Sequence, residues 1–318
     1  MKIAAIGAGT WGKNIVRTLH AMGVLGVVAE ASPELRESLQ TQYPDLEIVP
    51  DHQSLFQRQD IDAVTIATPA ATHFEIANRF LEAGRDVFVE KPMTLSVAEA
   101  EGLLETAGRT GRILMVGHLL LYKPAIQFIR DYIAQGGVGR VFTLHQERAK
   151  LGKARAVENA LWSLGVHDVA ALLHLVGDAP VRVWCAGHRG LQEGIEDDTY
   201  LHMEFADGRM AHLHNSWLWP EDRRGLVIVG DRAMIGYDEK NERVTLIRKS
   251  IDAGLNNVDE GLEVIYEAPA DFQPLRAELE HFADCVRTRR TPRSCGRNGL
   301  EVVRVLEAAA STAAKPCC

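Results

Sequence analysis

The sequence KIAAIGAGTWG, residues 2–12, joins a short apolar segment directly to the pattern G-x-G-x-x-G. Lys2–Ile6 predicts a buried strand, and the apolar spacing within Trp11–Met22 predicts a helix. Here the glycines permit a tight turn and a close approach to a pyrophosphate, while the helix N-terminus offers unpaired N–H groups. A plain glycine turn is the alternative. The context favours a dinucleotide-binding loop, whose expected cofactor-contacting members are Gly7, Gly9, Thr10, Trp11 and Gly12.

The residues that follow continue the same alternation of strand and helix. Near-continuous apolar strands that alternate with helices are typical of a parallel, doubly wound sheet covered on both faces. The predicted strands are Val24–Ala29, Ile61–Ala67, Val87–Val89 and Ile113–Val116, and the predicted helices are Pro33–Gln42, Thr72–Ala83 and Ser96–Thr110.

After His118 the pattern changes to strands with alternating polarity, and Asp207-Gly208 predicts a hairpin between two of them. We therefore predict an α/β chain in which a Rossmann domain is followed by a domain with an open, mostly antiparallel sheet. The predicted segments are a cofactor domain at 1–120, a substrate and oligomerisation domain at 121–274, and helices at 275–318 that pack back on the first domain. The predicted elements of the later segments are helices Pro124–Gln135, Glu158–Leu175, Leu275–Val286 and Gly299–Ala310, and strands Val141–Ala149, Val181–Gly187, Thr199–Phe205, Arg209–Trp217, Leu226–Val229 and Val244–Ile247.

Composition excludes several classes of function. The formal net charge of -8 argues against nucleic acid as the main partner, because phosphate binding needs a basic surface. The five cysteines form neither a disulfide framework nor a metal-ligand spacing, and the pair Cys317-Cys318 receives no role. No signal peptide precedes the first strand, and no apolar run approaches membrane-spanning length. We expect a reduced, cytoplasmic protein without a bound metal and without a membrane partner.

Glu30 ends the second strand, 18 residues after Gly12. A carboxylate at this position accepts hydrogen bonds from the adenosine ribose and repels a 2′-phosphate, which favours NAD over NADP. The loop after the strand Ile61–Ala67 would lie at the same sheet edge, so that Thr68 and Pro69 are expected beside the nicotinamide ribose. Thr72 could equally cap the following helix, and the two interpretations are compatible.

The segment VFVEKP, residues 87–92, places Lys91 directly after a predicted strand. A proline biases the preceding residue away from the helical region, and the carboxyl edge of a parallel sheet is where ligands bind. Lys91 could hold a substrate hydroxyl or exchange a proton with it, or it could simply cap the strand. In the second domain, Ser163 and His167 are four residues apart on one predicted helix and are expected to share one face. His167 could act as a general acid or base if Lys91 is its partner, although a lone helix histidine is more often a core residue.

These motifs together resemble the Gfo/Idh/MocA family of nicotinamide-dependent oxidoreductases. The resemblance covers essentially the whole chain: the glycine loop, ATPAATH at 67–73, VFVEKP, and the helix that carries G-V-H at 165–167. It implies that His73 and Glu90 belong to the cofactor site, and that Lys91 and His167 face the nicotinamide and the reacting carbinol. It also implies dimers or tetramers formed through the second-domain sheet.

One position departs from the family pattern, in which many members carry an aspartate four residues before the histidine. Ser163 occupies that position, so an acid that could join a proton relay is missing. Proton transfer would then depend on His167 and Lys91. Asp168 follows the histidine and could instead orient a loop or the substrate.

Within the family, the chain most resembles nucleotide-sugar 3-dehydrogenases. The resemblance implies oxidation of the C-3 hydroxyl of UDP-N-acetylglucosamine, or of its uronate, and an aminotransferase that then makes a 3-amino sugar for lipid A or surface polysaccharide. A dehydrogenase for another sugar or an inositol, and a non-catalytic NAD-dependent sensor, are the alternatives. The sequence does not distinguish the two UDP-sugars or say which of Lys91 and His167 is the base. Candidate substrate residues are His118, Tyr122, Arg148, Lys150, Lys153, Arg155, Asn159, Trp162 and Ser163.

Overall fold

The computed structural model describes residues 1–269 and 271–313, so that Cys317-Cys318 lies outside the described part of the chain. The chain divides into two compact units. The first comprises Met1–Leu119 with Gln273–Val303, and the second comprises Leu120–Phe272 with the described residues from Arg304 onward. The three segments predicted from sequence stay a prediction; the observed units differ from them in grouping the residues after Val303 with the second unit.

The helices begin and end at residues that the sequence largely anticipates. Ser96 caps one of them, because its side chain accepts a hydrogen bond from the Glu99 N–H at 3.2 Å. The α-helices are α1 Gly12–Ala21, α2 Pro33–Gln42, α3 His73–Glu82, α4 Val97–Thr110, α5 Pro124–Ala134, α6 Val166–Val176, α7 Pro274–Thr288 and α8 Gly296–Ala313.

The first unit contains a six-stranded sheet in which every neighbouring pair is parallel. Its spatial order is β3-β2-β1-β4-β5-β6, which is the Rossmann arrangement. The central strands β1 and β4 are buried along their whole length, as expected for a sheet with helices on both faces. The predicted fold class is therefore confirmed here. The strands are β1 Ile3–Ile6, β2 Leu25–Ala29, β3 Glu47–Val49, β4 Ala63–Ile66, β5 Asp86–Val89 and β6 Leu114–Val116.

The second unit contains an eight-stranded sheet that is antiparallel except where β10 pairs with β7. The predicted hairpin at Asp207-Gly208 is confirmed, because Gly208 lies at φ 86° between β9 and β10. Helices α5 and α6 pack on this sheet. The strands are β7 Val141–Ala149, β8 Arg182–His188, β9 Asp198–Glu204, β10 Met210–Ser216, β11 Arg223–Gly230, β12 Met234–Asp238, β13 Arg243–Ile251 and β14 Asn257–Glu267.

One region of the second unit differs from its predicted form. The sequence predicts one continuous helix over Glu158–Leu175, but the chain forms a π-helical turn at Leu161–Gly165 before α6 begins at Val166. The wider π turn changes the angular step between residues. The four-residue spacing of Ser163 and His167 therefore no longer implies a shared helix face.

Within residues 1–269 and 271–313, the structure contains no helix that combines the length and the apolar character needed to cross a lipid bilayer.

Asp86 links the start of β5 to two other parts of the first unit. Its buried carboxylate accepts a hydrogen bond from the Ile113 N–H at 2.8 Å and pairs with the Arg289 guanidinium at 2.6 Å. Arg289 ends α7, so this carboxylate joins that helix to the sheet. Removal of the carboxylate leaves a buried backbone donor without its acceptor.

We expect Asp86→Ala to lower the free energy of unfolding by about 1–3 kcal/mol, because a buried hydrogen-bond partner and a charge pair are lost together. Denaturant unfolding followed by circular dichroism measures the change. Asp284→Ala is the matched control. Asp284 lies on α7, the helix that Arg289 ends, but its bond to Arg290 is at the surface, and such pairs contribute about 0–1 kcal/mol. Equal losses in the two variants would show that Asp86 has no special structural role.

Candidate functional site

The glycine loop leaves β1 with its backbone packed tightly against the next turn. Gly7 lies at φ 85°, and its N–H donates to the Ala29 carbonyl at 2.8 Å. A Cβ at Gly12 would lie 2.1 Å from the Gly7 oxygen, so that only glycine fits at the start of α1. A Cβ at Gly9 would meet no atom within 4 Å. The loop is therefore closed beneath Gly12 and open above Gly9, as a bound pyrophosphate requires.

Glu30 is fixed at the end of β2 by the backbone around it. Its Oε2 accepts from the Ala8 N–H at 2.6 Å, and its Oε1 accepts from the Ser32 N–H at 2.9 Å. Each carboxylate oxygen has a further lone pair for a hydroxyl donor. A ribose diol beside the glycine loop is the ligand group that fits this acceptor, so that the loop and Glu30 together suit NAD.

Glu90 is buried and joins the loop after β1 to the loop after β5. Its Oε1 accepts from the Trp11 indole Nε1–H at 2.6 Å, and its Oε2 accepts from the Lys91 N–H at 3.2 Å. Gly117 leaves room for this carboxyl, because a Cβ there would lie 3.0 Å from it. Burial raises the pKa of Glu90 to about 7, although the charge of Lys91 opposes the shift. Glu90 therefore holds the loops that would surround the cofactor.

His73 performs a similar task between the loops after β4 and β5. Its Nδ1 lies 2.8 Å from the Pro92 carbonyl oxygen and its Nε2 lies 3.0 Å from the Thr68 oxygen. Burial lowers the pKa of this imidazole. Both ring nitrogens lie within hydrogen-bond distance of backbone carbonyl oxygens, and the neutral ring can donate to one of them. That the side chain also contacts the cofactor stays a prediction. Its role is to position Thr68 and the Lys91–Pro92 segment.

Thr72 does not cap α3 through its side chain, contrary to the expectation from the sequence. Its hydroxyl donates to the Pro69 carbonyl at 2.8 Å and lies 2.8 Å from the Thr68 hydroxyl. These bonds hold the loop that carries Thr68 and Pro69. That the two residues contact the nicotinamide ribose stays a prediction.

Lys91 lies at the carboxyl end of β5, and the Lys91–Pro92 peptide bond is cis. His118 follows β6 and is buried. Burial, with the positive charge of Lys91, lowers the pKa of His118 to about 3, so that its ring is neutral at physiological pH. Neither ring nitrogen of His118 has a hydrogen-bond partner among the described residues. A buried imidazole in this state costs free energy unless a ligand or water bonds to it.

In the second unit, the π turn precedes His167, which is only partly buried. Ser163 is buried within the turn, and its hydroxyl accepts from the Trp217 indole Nε1–H at 3.2 Å. Asn159 accepts from the Trp162 N–H at 2.9 Å and donates to Glu196 at 2.8 Å. Ser163 and Asn159 therefore fix the start of the helix. Direct contact of Asn159, Trp162 or Ser163 with a substrate stays a prediction.

Arg148 has a different environment from the one expected of a diphosphate ligand. Its Nε and Nη2 donate to Asp168 at 2.9–3.0 Å, and its Nη1 donates to Glu239 at 3.1 Å. Asp168 is fully buried and also accepts from the Asn215 amide at 3.1 Å. All three groups are engaged inside the second unit. Arg148 is therefore held in a buried ion-pair network with Asp168 and Glu239. Contact of Arg148 with a substrate, and orientation of a substrate by Asp168, stay predictions.

The other predicted cations lie on the segment after β7. Lys153 and Arg155 are exposed, and Arg155 approaches Glu158 at 3.7 Å. Tyr122 is buried. The substrate contacts of these residues and of Lys150 stay predictions. Sequence reasoning missed Glu278 of α7, a buried acid with no pattern that singles it out.

Among the described residues, no group of three or more His, Cys, Asp or Glu side chains could hold a metal ion. The glycine loop, the acid that ends β2 and the lysine after β5 instead define a dinucleotide-dependent class of protein, with its cofactor domain in the first unit.

Comparison with known proteins agrees with this class. Residues 1–118 match the family model described as "Oxidoreductase family, NAD-binding Rossmann fold", and residues 126–236 match the "GFO/IDH/MocA C-terminal domain". The chain belongs to the Gfo/Idh/MocA family of oxidoreductases, as the sequence motifs predicted. Its first unit is an NAD-binding Rossmann domain.

Three similar proteins illustrate the range within the family. The UDP-N-acetylglucosamine 3-dehydrogenase of Acidithiobacillus ferrooxidans is 28% identical over 97% of this chain and 95% of its own. Its solved structure has a TM-score of 0.84 and covers 98% of this chain and 99% of that one. A protein of Magnetospirillum magnetotacticum is 31% identical, with a TM-score of 0.84 over 97% and 99% of the two chains. The 2,7-anhydro-N-acetylneuraminate hydratase of Mediterraneibacter gnavus is 28% identical over 74% of this chain, and the match spans 66% of that relative.

The open space above Gly9 gives a sharp test of the cofactor loop. We expect Gly9→Ala to fold with an unchanged melting temperature, because the added Cβ meets no protein atom within 4 Å. The same methyl group would stand where the pyrophosphate approaches the backbone, so that NADH affinity should fall about tenfold or more.

Fluorescence titration with NADH and thermal unfolding measure the two effects separately. Gly12→Ala is the comparison variant, because its Cβ would clash with the Gly7 oxygen and should lower the melting temperature as well. Unchanged NADH affinity in Gly9→Ala would contradict the assignment of this loop to the pyrophosphate.

Proposed function

We propose that the protein oxidises the C-3 hydroxyl of UDP-N-acetylglucosamine to the 3-keto sugar with NAD⁺. The observation that carries the proposal is the setting of Lys91, which stands beside the buried, neutral His118 on a loop held by Glu90 and His73. Similarity over almost the whole chain to a UDP-N-acetylglucosamine 3-dehydrogenase supports the choice of substrate. A downstream aminotransferase that makes a 3-amino sugar for lipid A or another surface polysaccharide would consume the product.

The proposed mechanism assigns one task to each polar group. Lys91 holds the C-3 oxygen as negative charge develops on it, and His167 removes the hydroxyl proton. His118, as a neutral ring, hydrogen-bonds to a substrate hydroxyl and so gains the partner that it lacks among the described residues. Bound NAD⁺ supplies the hydride acceptor. The reverse assignment, with Lys91 as the base, uses the same residues.

The diphosphate of the substrate requires cations. With Arg148 engaged by Asp168 and Glu239, Lys150, Lys153 and Arg155 are the remaining candidates in this part of the chain. Their segment contains the exposed apolar side chains Leu151 and Val157, which supports a ligand-facing loop. This part of the proposal applies equally to the uronate form of the sugar.

A related sugar or inositol dehydrogenase is the second candidate. A scyllo-inositol 2-dehydrogenase of Bacillus subtilis is 27% identical over 76% of this chain, which is close to the identity of the nucleotide-sugar enzyme. The two candidates differ in whether a diphosphate is needed. A non-catalytic NAD-dependent sensor would form no NADH with any of these substrates.

We expect NADH formation from NAD⁺ and UDP-N-acetylglucosamine, or its uronate, when the keto product is removed by a coupled aminotransferase. Lys91→Ala and His167→Ala should each lower kcat by about 100-fold or more, because each removes a group that acts on the reacting oxygen, while NADH affinity is retained. Absorbance at the NADH band measures the rate, and NADH fluorescence measures the affinity.

Lys249→Ala is the matched control, because Lys249 forms a surface pair with Asp259 on the second sheet. It should keep the rate of the unaltered protein. If free inositols or sugars react and no UDP-sugar does, the second candidate replaces the first. If either active-site variant keeps the original rate, the assignment of that residue is wrong.

We also propose that two copies associate through the second-unit sheet. One face of this sheet forms an open cavity with a volume of about 880 Å³. Exposed apolar residues that include Val227 and Leu262 line the cavity. Across it, His145, His212 and His202 stand side by side on β7, β10 and β9. The His202 and His212 Nδ1 atoms lie 2.7 Å apart, a hydrogen bond that requires at least one neutral ring.

Association through this face should therefore weaken at acid pH. Burial lowers the pKa of His145, His202 and His212, so that all three are neutral at pH 7 and become charged only as the pH falls through those lowered values. Sedimentation velocity should show a dimer or tetramer at neutral pH and smaller species at an acid pH below those lowered values. Replacement of the three histidines by glutamine should remove the pH dependence, whereas His52→Gln should not. The same species at both pH values in the unaltered protein would contradict the proposal.

A further inference from the structure

Glu278 is the most unusual acid in the first unit. It lies in the second turn of α7, which packs against α1, the helix that follows the glycine loop. Its side chain is 1% exposed, and neither carboxyl oxygen has a hydrogen-bond partner among the described residues. An ionised carboxylate without donors in such a place would carry a large desolvation cost. The geometry therefore favours a carboxyl group that keeps its proton.

Glu90 is the charged neighbour of this buried carboxyl. Burial raises the pKa of Glu278 well above its usual range, and the negative charge of Glu90 raises it further. Within the described residues, Glu90 is the titratable group whose charge shifts the pKa of Glu278. The charge of Lys91 lowers the pKa of both Glu90 and His118. The other acidic and basic residues of α1 and α7 are Lys13, Arg17, His20, Arg276, Glu280, His281, Asp284 and Arg287.

The two acids differ in what surrounds them. Glu90 accepts from the Trp11 indole and from the Lys91 N–H, and it is near the positive charge of Lys91. Glu278 has no donor among the described residues. Two neighbouring buried carboxyls cannot both ionise at low cost. When the two carboxyl groups hold one proton between them, that proton is therefore on Glu278, and Glu90 is ionised.

We propose that Glu278 is a positioning residue of the cofactor site, a buried acid that carries the proton of a two-carboxyl pair and leaves Glu90 ionised to hold Trp11 and the Lys91 backbone. It acts through Glu90 and touches neither substrate nor cofactor. The inference needs only NAD binding and is independent of the sugar that is oxidised.

The proposal has a direct consequence at alkaline pH. When Glu278 loses its proton, a second negative charge enters the same buried region, and the energy of the pair rises. The repulsion between the two carboxylates then weakens the hydrogen bond from Trp11 to Glu90, and the loop after β1 should become more mobile. NADH affinity should fall by up to tenfold for each pH unit above the pKa of Glu278.

Glu278→Gln tests this, because glutamine keeps the size of the side chain and cannot ionise. We expect its NADH affinity to equal that of the unaltered protein at pH 7.5, and the alkaline loss of affinity to disappear. Fluorescence titration with NADH between pH 7 and pH 10 measures both. Glu280→Gln is the control on the same helix, because Glu280 forms a surface pair with Arg276 and should keep the alkaline loss.

Two results would overturn the proposal. One is an affinity of Glu278→Gln that is tenfold weaker at pH 7.5 with the fold intact by circular dichroism, since an ionised carboxylate would then be required. The other is an alkaline profile identical in Glu278→Gln and in the unaltered protein. If Glu278→Gln does not fold, infrared spectroscopy of the unaltered protein decides. A protonated carboxyl band that persists at pH 8 and titrates only above it supports the proposal, and the absence of such a band contradicts it. Failure of the sugar assay would leave these outcomes unaffected.

Discussion

The hydrogen bond from the Trp11 indole to the Glu90 carboxylate is the constraint around which the first unit is organised. It spans 79 positions of sequence and joins the loop after β1 to the loop after β5 at a distance of 2.6 Å. A parallel sheet places the ends of these strands at one edge, but it does not fix the loops that follow them. Loops carry few backbone hydrogen bonds of their own, so that buried side chains must hold them. Glu90 does so through its hydrogen bonds with Trp11 and the Lys91 N–H, and when its carboxyl is ionised they are charge-assisted and therefore stronger than neutral ones.

Two other buried side chains extend the same principle. Glu30 holds the glycine loop from β2 through the Ala8 N–H, and His73 holds the loop after β4 against the Pro92 carbonyl. Each is a polar group that the fold removes from water, at a cost that its backbone partners offset. The result is a set of strand ends whose relative positions are fixed before any ligand arrives. Such preorganisation is what the proposed stabilisation of a reacting oxygen by Lys91 would require.

The sequence predicted the parts of this fold that depend on local pattern. The glycine loop, five of the six parallel strands and the hairpin at Asp207-Gly208 follow from apolar runs and turn residues. Strand β3 was missed because its three residues have no apolar run, and β12 and β14 were missed because Gly236 and Gly261 interrupt their alternation. The spacing of apolar residues does not distinguish the π turn at Leu161–Gly165 from an α-helix, so the sequence could not predict it. Local pattern therefore predicts elements but not the deviations within them.

The site residues likewise differ in whether the sequence alone could predict their environment. Motif and position singled out Lys91 and Glu30, whereas the environment of Arg148 depends on Asp168 and Glu239, which are distant in sequence. A basic residue near the end of a strand is compatible with a phosphate ligand or with a buried ion pair, and the ion pair is visible only in the fold. Relatives with different reactions share about 27–28% identity with this chain, including a hydratase and an inositol dehydrogenase. Overall similarity at this level therefore does not identify the substrate, and the proposed contacts of Lys150, Lys153 and Arg155 with a diphosphate need a direct test.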